Sequence, residues 1–193
     1  GLIDFIIERW KLNGVVPVAP HAVLVHRAQT RRLLNEAEVV ALMKETLPGY
    51  IISVIDFATM SLRDQVAWMQ NTTMLIGVHG AGIANAFYLN PGVPCLQLHP
   101  YRVRKVVGED TITMFIELGQ LGVIMHHWDN THKENTILPK EREPPFMKKS
   151  RYHGNSSVLV EMREGWKLGG HYLGSFELNQ LLKEQDTVMH LGE

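Results

Sequence analysis

Four residues, His79-Gly80-Ala81-Gly82, separate the apolar run "LIGV" from the apolar run "IANAFYL". Glycine has no Cβ and tolerates positive φ, so backbone N–H groups at such a point can close on a bound group. If the flanking runs are strand and helix, Gly80, Ala81 and Gly82 stand at a helix start. Unpaired N–H donors and the positive end of the peptide dipoles favour an anion there, phosphate above all. A second constellation, "HRAQTRRLLNE", packs Arg27, Arg31 and Arg32 close together. Guanidinium forks match the oxygens of a diphosphate. Each pattern alone also describes something ordinary: a tight strand-to-helix turn, or a solvated basic turn facing Glu36 and Glu38.

Other polar groups carry less. His126, His127, Asp129 and His132 in "HHWDNTH" match no strong zinc spacing and read as ordinary loop histidines. No Asp-x-Asp pair occurs, so carboxylates suited to a divalent cation on a diphosphate are missing, and no metal site is assigned. "GAGIAN" fits the dinucleotide fingerprint except that Asn85 replaces the last glycine. The next strand also carries Gln97 where an acidic residue would be needed. The basic cluster Arg102, Arg104 and Lys105 reads as solvated surface. Trp68 and Met69 read as core. The single cysteine, Cys95, can form no intrachain disulfide and reads as a small buried hydrophobe.

The elements that must position these residues alternate. "LIDFIIERW" has helical spacing, and the Pro17 to Pro20 region reads as a linker. "AVLVH", "YIISVID", "TMLIGV", "VPCLQLH" and "VIMHHW" read as strands. "NEAEVVALMKETL" (N-cap Asn35), "SLRDQVAWMQ" (N-cap Ser61), "AGIANAFYL" and "VGEDTITMFIELGQL" read as the helices between them. Such alternation implies an α/β fold, a Rossmann-like parallel sheet with helices on both faces. Both constellations then fall at carboxyl ends of strands, where such sheets bind ligands. Residues from Asp129 to about Asn155 read as a polar loop. "SSVLVEM" reads as a last strand and "SFELNQLLKEQ" as a closing helix.

The 193 residues are 45% hydrophobic with net charge −1, so the chain as a whole is no polyanion binder, any basic site must be local, and nucleic acid is not expected as a partner. No apolar run is long enough to span a bilayer. The opening Gly-Leu-Ile-Asp carries neither initiator Met nor a basic leader, so the chain reads as a piece of a longer polypeptide. The sequons at Asn71 and Asn155 are compatible with a secretory address.

"HRAQTRRLLNE", "MSLRDQVAWMQNTTMLIGVHGAGIANAFYLNPGV" and "CLQLHP" together resemble glycosyltransferase family 61 in order, spacing and strand–helix context, over residues 23–100. Gln97 stands where many members carry Glu. The resemblance implies a GT-B architecture: two Rossmann-like domains facing across a cleft, this chain being the carboxyl-terminal, nucleotide-sugar-binding half. Residues 1–20 would be helix and linker from a missing N-terminal domain, and 21–193 the nucleotide-sugar domain. It further implies inverting, metal-independent transfer from a UDP-sugar (GlcNAc or a pentose) to a glycoprotein or polysaccharide acceptor. The setting would be the ER or Golgi lumen. No cofactor is implied beyond the donor, and a membrane is met only through a segment absent here.

On that reading Arg27, Arg31 and Arg32 ion-pair the diphosphate, and Gly80, Ala81 and Gly82 supply backbone donors. His79 and Arg31 are the candidates for catalytic roles. Asn35 and Asn85 position loops or touch the nucleotide. Ser61 and Gln65 start a helix near the nucleoside, unless they serve as cap and surface. Gln97 and His99 line the ribose side. The alternatives are a UDP-binding module without activity and a dinucleotide-binding oxidoreductase domain.

Overall fold

The computed structural model describes residues 1–12, 19–101, 119–132, 135–137 and 157–158. Helix α1 (Leu2–Arg9) comes first, followed by β1 (His21–Val25), α2 (Glu36–Thr46) and β2 (Ile51–Ile55). A 3₁₀ turn (Phe57–Thr59), α3 (Leu62–Gln70) and β3 (Met74–Val78) follow, then a 3₁₀ helix (Ala81–Tyr88), β4 (Pro94–His99) and β5 (Ile124–Asp129). Two-residue strands β6 (Thr136–Ile137) and β7 (Ser157–Val158) pair antiparallel. The five longer strands form one all-parallel sheet in the order β2-β1-β3-β4-β5. The chain leaves β1 towards β2, then returns past β1 to place β3 on its other side. The gap between β1 and β3 is therefore the point where the direction of winding reverses.

Period-2 alternation sorts each strand between two cores. Ala22, Leu24, Met74, Ile76, Val78, Leu96, Leu98 and Trp128 pack with Val39, Leu42 and Met43 of α2. Val23, Val25, Leu75 and Cys95 pack on the opposite face with Met69 of α3 and with Ile83 and Ala86 of the 3₁₀ helix. Both faces of the central strands are covered, which is why β3 and β4 are buried at every position and read as unbroken apolar runs. Edge strand β2 is less protected; Ile51 is 53% exposed.

The five strands expected in the sheet are all present, while of the expected last strand, 156–162, only Ser157–Val158 falls within the described residues. The helices expected at α1, α2 and α3 are present too. Ser61 caps α3 as its sequence implies: its Oγ accepts from Asp64 N at 3.2 Å and donates to the Asp64 carboxylate at 2.6 Å. Three details differ. Asn35 occupies the N-cap position of α2, but its side chain donates to Glu38 Oε2 at 3.0 Å instead of accepting from the backbone. "AGIANAFYL" is a 3₁₀ helix, not an α-helix. Its buried residues Gly82, Ile83, Asn85 and Ala86 fall in two rows spaced by three, the second continued by the capping Leu89, as suits a coil with three residues per turn. Gly82 lets that coil press on the sheet, since a Cβ there would come within 2.9 Å of Val25 Cγ1. Finally, β6 forms a ladder inside the stretch expected to be polar loop. The Pro17 part of the linker, nearly all of the helix expected at 107–121, the basic cluster at 102–105, Asn155 and the closing helix lie outside the described residues.

Candidate functional site

The loop after β1 is pinned at both ends. His26 N donates to Ile55 O at 2.8 Å, continuing the ladder beyond the strand. Its ring Nδ1 meets Glu36 Oε2 at 2.8 Å, tying the loop to the start of α2. Arg31 has a left-handed backbone, φ 57°. For a non-glycine residue that costs about 1–3 kcal/mol. Burial of the nearby Leu33 in the α2-side core contributes roughly 1.5–3 kcal/mol, enough to offset it.

This twisted loop lays its arginines across the end of β3. A Cβ added to Gly80 would overlap Cδ, Nε and Nη1 of Arg31. A Cβ on Gly82 would meet Cδ and Nη1 of Arg27 at 3.3 and 3.5 Å. The glycines are thus required twice over. Gly80 has φ 141°, which L side chains rarely adopt, and both positions yield their side-chain space to a guanidinium stem. The first hydrogen bond of the 3₁₀ helix runs from Ile83 N to Gly80 O at 3.0 Å. The N–H groups of Ala81 and Gly82 therefore precede the helical ladder, beside two cations. Of the three arginines, Arg32 is the exposed one.

A polar layer adjoins this cation-rich turn at the carboxyl ends of β3, β4 and β5. Gln97, fully buried on β4, brings Nε2 to 2.6 Å from His79 Nδ1. His99 stacks on His79 with centroids 5.2 Å apart and planes 24° apart. His99 Nε2 lies 3.1 Å from His127 Nδ1. Burial, then the nearby Arg31 guanidinium and His127, push the His79 imidazole down to about 4, so it is neutral at physiological pH.

The structure brings together Arg27, Arg31, His79, Gly80, Ala81, Gly82 and Gln97 from the residues chosen by sequence. Asn85 is buried and closes the 3₁₀ turn through Nδ2 to Gly82 O at 3.2 Å. Asn35 sits at the start of α2. Ser61 serves as the cap of α3. Gln65 Nε2 donates to Phe57 O and Met60 O at 3.0 and 3.1 Å, holding the 3₁₀ turn after β2. Sequence reasoning missed His127, which belongs to the same polar layer. The available signal was alternation: His127 and Asp129 share one face of β5, and register puts them opposite Gln97 and His99. His126 falls on the other face, so the "HHWDNTH" groups do not converge. Burial pushes the Cys95 thiol up, as suits an inert core cysteine.

A family model described as Glycosyltransferase 61 matches residues 2–96. Over these residues the chain is similar to the glycosyltransferase 61 family. The family 61 segment takes in the arginine loop and the glycine turn, and ends within β4, before Gln97. Among curated relatives, the protein O-linked-mannose beta-1,4-N-acetylglucosaminyltransferase 2 of Takifugu rubripes is 26% identical over 91% of this chain and 26% of its own length. The proteins of the same name from Bos taurus and Homo sapiens are 31% and 30% identical over 72% of this chain and 24% of theirs. The chain thus spans about a quarter of the length of the relatives it matches. Among the described residues no helix is long and apolar enough to cross a membrane.

Proposed function

We propose that this chain is the nucleotide-sugar-binding half of a GT-B glycosyltransferase that transfers a sugar from a UDP-sugar, with inversion and without a metal ion, in the secretory pathway. The observation that carries the reading is the packing of Arg31 on Gly80 and Arg27 on Gly82 at the winding reversal between β1 and β3. Two guanidinium groups and the first N–H groups of a helix form one anion-binding rim there, matched to a diphosphate. In the reaction an acceptor hydroxyl attacks the anomeric carbon and yields its proton to a base, while the bond from that carbon to UDP breaks. Negative charge grows on the leaving diphosphate. Donors fixed in advance around it lower the barrier, and this half supplies them through Arg27, Arg31, His79 and the backbone at Ala81 and Gly82. The names of the relatives support GlcNAc as donor sugar and an O-mannosyl glycan on protein as acceptor.

Calorimetric titration of the full-length protein with UDP tests this. UDP binds, and Arg31→Ala lowers affinity by about 10- to 100-fold, the worth of a charged hydrogen bond of about 1.5–3 kcal/mol. Absence of UDP binding, or binding of NAD instead, overturns the reading. Binding without transfer from any UDP-sugar reassigns the protein as a nucleotide-binding module.

A further inference from the structure

We infer that Gln97 is a positioning residue that fixes His79 as the Nε2–H tautomer, so that His79 acts on an anionic ligand as a neutral hydrogen-bond donor and not as a base. This rests on the anion-site reading above only for its last step. The tautomer itself follows from contacts within the chain.

Gln97 lies beside Gly77 in the β3–β4 register, on the face that carries the 3₁₀ helix. His79 follows Gly77 on that same face by alternation, Ile83 and Val25 fill the space above Gly77, and the Gln97 amide reaches the ring of His79. The 2.6 Å contact joins Gln97 Nε2 to His79 Nδ1. An amide NH₂ can only donate, so Nδ1 must accept and the ring proton must sit on Nε2. The opposite amide orientation is costlier. Gln97 Oε1 has no hydrogen-bond partner among the described residues, and turning the amide would put the NH₂ in that place. Unmet buried N–H donors are rarer in proteins than under-satisfied carbonyl oxygens.

The surroundings keep the ring neutral and its plane fixed. Arg31 lies near it, His99 stacks on its face, and His127 bonds to His99. A neutral imidazole whose conjugate acid ionises near 4 is a weak proton acceptor at pH 7. Its Nε2–H, on the ring edge away from Gln97, is a donor that needs no proton taken up when an anion arrives. The arrangement divides the work: Arg27 and Arg31 supply charge, and His79 supplies direction.

The test is nitrogen NMR of full-length protein labelled with ¹⁵N in the histidine rings, the His79 signals being assigned from their loss in His79→Gln. At pH 7 without ligand, wild-type His79 shows a protonated Nε2 and an unprotonated Nδ1. Gln97→Glu replaces the donor by an acceptor, and the proton moves to Nδ1. Gln97→Leu, which adds no charge, leaves a mixture of both tautomers. A wild-type Nδ1–H signal overturns the inference even if neither variant folds, and so does a proton that stays on Nε2 in folded Gln97→Glu. UDP titration of the same samples separates the two readings. Wild-type Nε2–H without UDP binding sinks the anion site and leaves the role of Gln97 standing. UDP binding to a protein whose His79 is Nδ1–H does the reverse. If both hold, Gln97→Leu weakens UDP binding by about tenfold, one hydrogen bond mis-set in part of the population.

Discussion

At the scale of single residues, His79 is held as a neutral ring. Its imidazole is lowered from the ordinary 6.5 to about 4 by burial, with Arg31 and His127 adding repulsion. Proton uptake is therefore linked to unfolding. As pH falls below about 6.5 the unfolded chain binds a proton at this position while the folded chain refuses it, so stability drops until pH nears 4. At about 1.4 kcal/mol per unit, the loss across that window is roughly 3 kcal/mol. Urea denaturation at pH 7 and at pH 4.5 checks this. The wild type loses about 2–3 kcal/mol more than His79→Gln between the two conditions. Equal losses would mean that His79 is not buried as described. The candidacy of His79 as an anion ligand was legible in its place between "LIGV" and two glycines. Its neutrality was not, because Arg31, His99 and His127 come to it from three other segments.

At the scale of elements, the glycine turn is where sequence and structure diverge most usefully. Its position was readable from composition, and its chemistry from the glycines. The coil type was not, because small residues such as Ala84 and Ala86 suit an α-helix equally well. The three-residue recurrence of Ile83, Ala86 and Leu89 has meaning only once the sheet beneath is known. The tight approach makes a sharp contrast between neighbours. Gly82→Ala forces a methyl group to 2.9 Å from Val25 and against the Arg27 stem, and costs about 1–3 kcal/mol. Ala81, one residue earlier, is exposed, and Ala81→Ser stays within about 0.5 kcal/mol of wild type. Denaturation midpoints at fixed pH measure both. A Gly82→Ala protein as stable as wild type would show that the coil can lift from β1 without loss.

At the scale of the whole molecule, charge must be concentrated locally, because the chain as a whole is nearly neutral. The arginine loop and the glycine turn lie far apart in sequence, and strand order alone makes them neighbours. With β1 and β3 adjacent, two guanidinium groups and a helix start come together, and on the proposed function they meet a diphosphate's charge without a cation. UDP titration in EDTA and in excess Mn²⁺ accordingly gives the same affinity. A strong gain with Mn²⁺ would mean that a metal, and not Arg27 and Arg31, carries the charge. Salt weakens binding in either case, because exposed phosphate–guanidinium pairs are screened.

The sequence by itself determined the alternation of strands and helices, the buried faces and the presence of an arginine cluster and a glycine turn, since each is set by local spacing and side-chain chemistry. Tertiary structure alone decided that Arg31 rests on Gly80 and Arg27 on Gly82, and that Gln97 reaches His79 from the neighbouring strand. Those contacts depend on strand order and register. Both are set by how the two cores pack, and no stretch of neighbouring residues encodes them.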